Sequence, residues 1–232
     1  MGAKTATAAR ADLSGMMVSD HLIFDLDGTI SDPAIGICRS MNCALTHFGY
    51  AEIRDAEVSA FIGPPIDVTF RALTQSDSHQ HIAALVARFR ERYSEVGYSE
   101  NSLYAGVEDA LTGLVERGAR LGLCTSKRSD FAEKILAMFG LLRRFEFVCG
   151  GDVGISKSAQ LSQLVRDRVI GQGSTMIGDR AIDILAGKAN GLRSVGVLWG
   201  HGSEAELRHA GADRILSNPF QLGELVDAPD VR

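Results

Sequence analysis

Short apolar segments alternate with amphipathic segments along most of the chain. From residue 103 onward the apolar segments are residues 120–124, 145–149, 174–177, 194–199 and 214–216, and an earlier one spans 21–24. Stretches with helical periodicity separate them. Strands that are apolar throughout and alternate with helices are typical of a parallel sheet covered on both faces. The pattern therefore predicts an α/β core with helices on both faces of a parallel sheet.

Several of the predicted helices carry start and stop signals. Asp130 is followed three positions later by Glu133, and Ser203 is followed in the same way by Glu206. This spacing is typical of a capping box at a helix N-terminus, and in both segments a glycine follows the last periodic residue. We therefore expect helices to begin at Asp130 and at Ser203.

Residues 33–102 break this alternation and predict an all-helical insertion. Apolar residues recur there at helical spacing in two stretches, Ala34, Ile37, Cys38, Met41, Leu45 and Phe48, and then Ile82, Leu85, Val86, Phe89, Tyr93 and Val96. Between them, residues 63–65 read Gly-Pro-Pro, which must interrupt any helix. We predict a core of residues 20–32 and 103–232, a helical cap of residues 33–102, and a disordered tail at residues 1–19.

Composition and charge exclude several classes of protein. The chain is 45% apolar and 23% charged, which is ordinary for a globular protein, and its net charge is −5. We therefore expect no nucleic-acid partner, and no apolar run is long enough to cross a membrane. The four cysteines lack C-x-x-C spacing, and the N-terminus lacks the apolar segment of a secretory signal. These features favour free thiols and a cytoplasmic location.

An acidic pair follows the first apolar segment. Asp25 and Asp27 stand two positions apart, and Gly28 comes directly after them. Open α/β sheets bind ligands in the crevice beyond the carboxyl ends of their strands. A turn rich in aspartate and glycine would explain the same residues without any function. A calcium loop fits poorly, because the glycine stands too early and no glutamate closes the loop.

Further polar residues follow three later strands. Thr125 and Ser126 end the 120–124 segment, Lys157 follows 145–149, and Asp179 and Asp183 follow 174–177. Each has a simpler explanation alone: a helix cap, a surface charge, or partners for a helix dipole. Together they offer carboxylates for Mg²⁺, a carboxylate nucleophile, and donors for phosphate oxygens. The combination favours phosphoryl transfer.

Four sequence segments resemble the haloacid dehalogenase superfamily of phosphatases. They are FDLDGT, FIGPP, IGDRAIDI and LWGHGSEAELRHAGADRILSNP, and the resemblance covers residues 20–225. It is closest to the branch of phosphoglycolate phosphatases and 5′-nucleotidase-like enzymes. The resemblance implies a Rossmann-like core with a helical cap. It also implies Mg²⁺-dependent hydrolysis of a small phosphorylated metabolite.

The resemblance assigns roles to the acidic residues. Asp25 would be the nucleophile, which forms an aspartyl-phosphate, and Asp27 the general acid and base. Asp25, Asp179 and the backbone carbonyl of Asp27 would bind Mg²⁺, and Asp183 would support that site. A dehalogenase is disfavoured, since Asp27 suits proton transfer to a phosphate leaving group.

The resemblance also implies where the substrate binds. Thr125 and Lys157 would contact the phosphoryl group, and we place Gly28 and Ser126 beside them. The chain has Ser126 where many relatives have Asn, and Ser158 where many have Pro. Substrate specificity would come from a loop of the helical cap that contains Gly63, Pro64, Pro65 and Asp67.

Two other functions stay open from the motifs. A phosphomutase of the same superfamily would return the phosphoryl group to a different hydroxyl. A non-catalytic phospho-acceptor of receiver type fits less well, since such a domain needs neither Asp27 nor a large cap. We expect a monomer or a homodimer that binds neither nucleic acid nor membrane.

Overall fold

The computed structural model describes residues 19–227, and most of its strands form one parallel sheet. In chain order the strands are β1 Leu22–Phe24, β2 Ser31–Asp32, β3 Ser102–Leu103, β4 Leu121–Thr125, β5 Phe145–Gly150, β6 Thr175–Gly178, β7 Arg193–Val197 and β8 Arg214–Leu216. Six of them pair in the order β5-β4-β1-β6-β7-β8, with every neighbour parallel. The predicted parallel sheet is confirmed.

Helices cover both faces of this sheet. The helices that the structure describes are α1 Ala34–His47, α2 Ile66–Thr74, α3 His79–Glu95, α4 Val107–Glu116, α5 Ser129–Met138, α6 Lys157–Arg166, α7 Ala181–Ala189, α8 Glu204–His209 and α9 Glu224–Asp227. Successive strand residues point to opposite faces. Phe24 accordingly packs in a cluster with Leu111 of α4, and its neighbour Ile23 packs in another with Leu161 of α6. The predicted α/β Rossmann-like class is confirmed.

Helices α1 to α3 lie between β2 and β3 and share a separate apolar cluster. Met41, Phe70 and Leu85 are fully buried in it, one from each helix. As predicted, the Gly-Pro-Pro segment interrupts the helices, and α2 begins directly after it at Ile66. Val96 departs from the prediction, because α3 ends at Glu95 and the side chain of Val96 is exposed.

The chain enters and leaves the helical cap at one place. Strands β2 and β3 pair in antiparallel fashion, with Ser31 opposite Leu103 and Asp32 opposite Ser102. The sequence did not predict this pair, since two-residue strands carry no readable period. The division into core and helical cap stays a prediction, and we propose that this pair is its boundary.

The two predicted helix starts have different outcomes. Helix α8 begins as expected, because the Ser203 hydroxyl accepts a hydrogen bond from the backbone N–H of Glu206. The prediction for Asp130 is wrong: α5 already begins at Ser129. The Asp130 carboxylate instead pairs with the guanidinium of Arg128, 3.0 Å away, and therefore caps no helix.

Three other predictions from the sequence concern the N-terminal tail, the cysteines and membrane-spanning helices. Residues 1–18 of the predicted tail lie outside the described residues. All four cysteines are free thiols, as expected. Among residues 19–227, no helix combines the length and the apolar character that a membrane crossing requires.

Candidate active site

Three carboxylates meet at the carboxyl edge of the sheet. Asp25 follows β1 and Asp179 follows β6; these strands are adjacent and in register, and the Asp25 backbone N–H donates to the carbonyl of Ile177 at 2.9 Å. Asp183 reaches the same place from the first turn of α7. One oxygen from each of the three carboxylates lies within 4.8 Å of the others. The structure thus brings together three of the predicted site residues.

Burial makes this acidic cluster costly without a cation. Burial, followed by the charges of Asp183 and Asp25, raises the pKa of Asp179 to about 8. Oδ1 of Asp25 is buried and accepts no hydrogen bond from the described residues. Hard divalent cations prefer oxygen ligands of this type. The chemistry of the cluster therefore fits a metal ion.

Lys157 is buried among these carboxylates. It is the first residue of α6, and its Nζ lies 2.9 Å from Oδ2 of Asp25 and also donates to Oδ1 of Asp183. A cation at a helix N-terminus is disfavoured by the helix dipole. Burial lowers the pKa of Lys157, but Asp183 and Asp25 raise it by more, so the amine stays protonated. Asp25 and Asp183 thus stabilise the buried ammonium of Lys157, which is in contact with the candidate nucleophile, Asp25.

Asp27 has a different cationic partner. Its Oδ2 lies 2.9 Å from Nζ of Lys127, which also donates to the hydroxyl of Tyr93 on α3 at 2.6 Å. Burial raises the pKa of Asp27, and Lys127 opposes that rise. Oδ1 of Asp27 is buried and accepts no hydrogen bond from residues 19–227. Lys127 therefore links Asp27 to the helical cap.

Neither Lys127 nor Tyr93 was predicted from the sequence to belong to the site. Lys127 adjoins Thr125 and Ser126, and that position was its only signal. Tyr93 was assigned to an apolar stripe, and its ring is indeed buried. Nothing in the spacing indicated that its hydroxyl would reach the core.

Gly28 allows the backbone to pass close to Asp179. Its φ is +84°, and a Cβ at this position would lie 2.2 Å from Oδ2 of Asp179. The same oxygen accepts a hydrogen bond from the backbone N–H of His201 at 2.7 Å. Any larger residue at position 28 would displace the Asp179 carboxylate.

Thr125 and Ser126 lie at the same edge of the sheet. Thr125 ends β4, which is the other neighbour of β1. The Thr125 hydroxyl accepts from the backbone N–H of Lys127 at 3.3 Å, so its own proton stays available to a ligand. The Ser126 hydroxyl is buried and has no hydrogen-bond partner among the described residues. Both hydroxyls could therefore donate to an anion.

A cleft of about 740 Å³, partly open to solvent, separates this edge from the helical cap. The predicted site residues that line it are Asp25, Asp27, Thr125, Ser126, Gly63, Pro64, Pro65 and Asp67. The cap loop proposed for specificity thus faces the candidate nucleophile.

Arg180 connects the cluster of three carboxylates to the helical cap. Its backbone N–H donates to Asp183, and its guanidinium donates to the carbonyl of Ile62 and, at 3.3 Å, to that of Ser59. Glu206 holds the guanidinium from the other side, with 2.9 Å between Nε and Oε1. The sequence analysis gave this arginine no role, although it directly follows Asp179.

Comparison with known proteins identifies the family. The family described as haloacid dehalogenase-like hydrolase matches residues 22–197. The chain belongs to this family. The predicted resemblance is therefore confirmed, and so is the prediction of a hydrolase.

Three curated relatives carry different names. A 5′-nucleotidase of Pseudomonas aeruginosa is 36% identical over 81% of this chain and 86% of its own length. The tyrosine-protein kinase PtkA of Mycobacterium tuberculosis is 34% identical over 89% of this chain and 71% of its own length. A phosphoglycolate phosphatase of Cereibacter sphaeroides is 32% identical, over 88% and 96%.

A solved structure shares the fold of this hydrolase. The crystal structure of a predicted phosphatase from Clostridium acetobutylicum superimposes with a TM-score of 0.85 at 30% identity. The match covers 90% of this chain and 98% of that one, so it includes the helical cap as well as the sheet.

Proposed function

We propose that this hydrolase is a Mg²⁺-dependent phosphatase that hydrolyses a small phosphomonoester through an aspartyl-phosphate on Asp25. The observation that carries the proposal is the position of Asp25. Its Oδ2 contacts the Lys157 ammonium, and its Oδ1 is buried without a hydrogen-bond partner among the described residues. The 5′-nucleotidase and phosphoglycolate phosphatase relatives support it.

The acidic cluster fits the metal that this activity needs. Asp25, Asp179 and the backbone carbonyl of Asp27 would hold Mg²⁺, and Asp183 would support the site. When bound, Mg²⁺ offsets the negative charge of the phosphoryl group.

The side chains of Asp25 and Asp27 carry out the two chemical steps. A carboxylate oxygen of Asp25 attacks phosphorus, and Asp27 gives a proton to the departing alcohol oxygen. Asp27 then takes a proton from water, which attacks phosphorus and releases inorganic phosphate and free Asp25. Lys157 and the hydroxyls of Thr125 and Ser126 donate to the phosphoryl oxygens as charge shifts onto them.

The raised pKa of Asp27 is consistent with this double use. A carboxyl that must first donate a proton has to be protonated in part of the molecules. Burial favours the protonated form of Asp27, and the ammonium of Lys127 keeps the ionised form accessible for the second step.

A screen for phosphate release tests the proposal directly. Small phosphomonoesters are incubated with the protein in Mg²⁺ and in EDTA, and phosphate release is expected only with Mg²⁺. Asp25→Asn should abolish turnover, and Asp27→Asn should leave a phosphoenzyme that can be trapped in a single turnover. Asp109→Asn, an exposed position on α4, is the control. Wild-type turnover by Asp25→Asn would contradict the proposal.

The same screen separates the other candidate activities. Product analysis by ³¹P spectroscopy would show an isomeric phosphomonoester for a phosphomutase and free phosphate for a phosphatase. A stable phosphoprotein without turnover would indicate a receiver-type acceptor. The protein is also incubated with ATP and a tyrosine peptide, because the PtkA relative is named a tyrosine-protein kinase. The cytoplasmic location and the monomeric or homodimeric state stay predictions.

A further inference from the structure

The lining of the cleft is mostly apolar. Its apolar lining comprises Ile37, Phe61, Ile66, Phe89, Tyr93, Phe131 and Val153. The rings of Phe89 and Tyr93 are stacked, with centroids 5.2 Å apart and planes 14° from parallel. A leaving group that fills this space must have an apolar body to be bound there in preference to water.

The cations that line the cleft are already paired. Nη2 of Arg90 lies 2.5 Å from Oδ1 of Asp152, and the guanidinium of Arg128 makes two 3.0 Å hydrogen bonds to Asp130. Lys127 is held by Asp27 at 2.9 Å. A carboxylate on the leaving group would therefore meet, among the described residues of the lining, only cations whose charge a carboxylate already balances.

Asp67 contributes to the cleft a carboxylate oxygen that has no hydrogen-bond partner among the described residues. It is the second residue of α2, and only 9% of its surface is exposed. Its Oδ1 is buried and accepts no hydrogen bond from any described residue. A buried acceptor without a donor costs free energy, most of all when it is charged.

The local backbone fixes Asp67 in this position. Pro64 and Pro65 precede α2, and the rings of both prolines hold φ near −65°. The helix begins at Ile66, directly before Asp67. The carboxylate therefore does not depend on a mobile loop for its place in the cleft.

We propose that Asp67 is a specificity residue that accepts a hydrogen bond from an amino or hydroxyl group of the leaving alcohol. The preferred substrates are then phosphomonoesters of alcohols with an apolar body and such a donor. Alcohols that carry a carboxylate are rejected. The proposal rests on the phosphatase activity proposed above and names its substrate class.

Three aryl phosphates with the same ring test this preference. They are phenyl phosphate, 4-(aminomethyl)phenyl phosphate and 4-carboxyphenyl phosphate, and kcat/KM is measured for each with saturating Mg²⁺. The wild type should prefer the aminomethyl compound over the carboxy compound by about 10- to 100-fold, which is the range for a hydrogen bond to a charged group.

Variants separate recognition by Asp67 from the intrinsic reactivity of the esters. Asp67→Asn should reduce the aminomethyl-to-carboxy ratio of kcat/KM by about 10-fold or more, mainly through KM. Asp67→Lys should invert the ratio. Asp109→Asn is the matched control, because it also removes an aspartate from the first turn of a helix but on the exposed surface of α4. An unchanged ratio in Asp67→Asn would overturn the proposal.

Binding of non-hydrolysable analogues distinguishes the two proposals. Benzylphosphonates with the same two substituents are titrated into the wild type and Asp67→Asn by calorimetry. If the wild type binds the aminomethyl analogue more tightly and Asp67→Asn does not, the role of Asp67 is supported. An absence of ester hydrolysis would overturn only the proposed phosphatase activity. Equal or reversed binding by the wild type overturns the role of Asp67, whatever the turnover.

Discussion

The ammonium of Lys127 lies 2.9 Å from a carboxylate oxygen of Asp27, in a part of the core that the helical cap covers. Lys127 also donates to Tyr93 of the helical cap. The cation that sets the charge balance of the proposed acid and base is thus shared between the two parts of the protein. A displacement of α3 would change the surroundings of Asp27 directly.

Removal of that cation should impair the second chemical step. In Lys127→Met, burial raises the pKa of Asp27 without the opposing charge of Lys127, so less carboxylate is present to activate water. We expect a lower kcat and a phosphoenzyme that accumulates in a rapid-quench experiment. Tyr93→Phe, which keeps the ring, should have a smaller effect. Equal phosphoenzyme levels in Lys127→Met and the wild type would contradict this role.

Replacement of Lys157 should reduce the rate much more than it reduces substrate binding. Lys157→Ala removes a donor to the phosphoryl oxygens, and such donors contribute about 3–4 kcal/mol to transition-state stabilisation. Steady-state kinetics should show kcat lower by about 10²- to 10³-fold. Lys157→Arg should restore little, because a planar guanidinium does not replace a compact, fully buried ammonium. Lys188→Ala, on the exposed end of α7, is the control.

The acidic cluster should be stabilised by a divalent cation. At a concentration 100 times its dissociation constant, Mg²⁺ would add about 2.7 kcal/mol to the free energy of unfolding. We expect a rise in Tm on addition of Mg²⁺ to the wild type. EDTA should abolish activity, and Mg²⁺ should restore it, whereas Ca²⁺ should not, because its coordination is larger and looser.

Asp179→Asn should remove most of the stabilisation by Mg²⁺. The amide can still accept the hydrogen bond from His201, but one of three buried, mutually repelling carboxylates is lost. In EDTA the variant should therefore unfold at the same temperature as the wild type or a higher one. It should gain little from Mg²⁺. A full Mg²⁺-dependent shift in Tm would remove Asp179 from the metal site.

Two glycines with the same backbone conformation offer a controlled comparison. Gly28 and Gly49 have φ of +84° and +80°, so alanine should cost about 1–2 kcal/mol of conformational strain at either position. Only at Gly28 would the new Cβ meet a carboxylate, that of Asp179; at Gly49 nothing lies within 4 Å. Gly28→Ala should therefore lose activity and the Mg²⁺-dependent rise in Tm, and Gly49→Ala should keep both.

An ion pair far from the cleft should make stability depend on pH in acid. Hydrogen bonds from the Arg120 guanidinium, together with one from His21, lower the pKa of Glu146 from 4.5 to about 2. Since the folded-state pKa is the lower one, the stabilisation is present above about pH 4.5 and is lost as the pH falls toward 2. Both side chains are 42% exposed, so we expect at most about 1 kcal/mol.

Urea unfolding at pH 7 and at pH 2.5 measures this contribution. Glu146→Gln should be less stable than the wild type at pH 7, and the two should approach each other at pH 2.5. Glu133→Gln, an exposed change on α5, should match the wild type at both values. A difference for Glu146→Gln that stays constant with pH would show that the pair contributes no charge-dependent stability.

The sequence predicted those parts of the fold that have a period. The stripe of α1 could be read because burial repeats along it, and β4 could be read because every one of its residues is buried. The acidic cluster could be anticipated for a similar reason, since Asp25 and Asp179 each follow a strand of a parallel sheet. Strand β2 could not be anticipated, because two residues have no period.

The contacts between the core and the helical cap could not be read from the sequence. The ring of Tyr93 packs in the apolar stripe of α3, whereas its hydroxyl lies outside the stripe and accepts a hydrogen bond from Lys127. The spacing of apolar residues predicts only the position of the ring. Arg180 and Lys127 are long side chains whose partners depend on how the two parts of the chain pack. Asp67 was predicted to lie in a loop, and this is wrong, because α2 already begins at Ile66. Its lack of a hydrogen-bond partner for Oδ1 is visible only when its neighbours are known.

The central position of β1 has a consequence for synthesis of the protein. This strand is translated before both of its neighbours, because β4 and β6 follow only after the entire helical cap. Until then its apolar residues have no strand to pair with, whereas α1 and α3 pack against each other from nearby positions in the chain. On the ribosome, a helical intermediate should therefore precede any sheet, and the exposed β1 segment is the part a chaperone would protect.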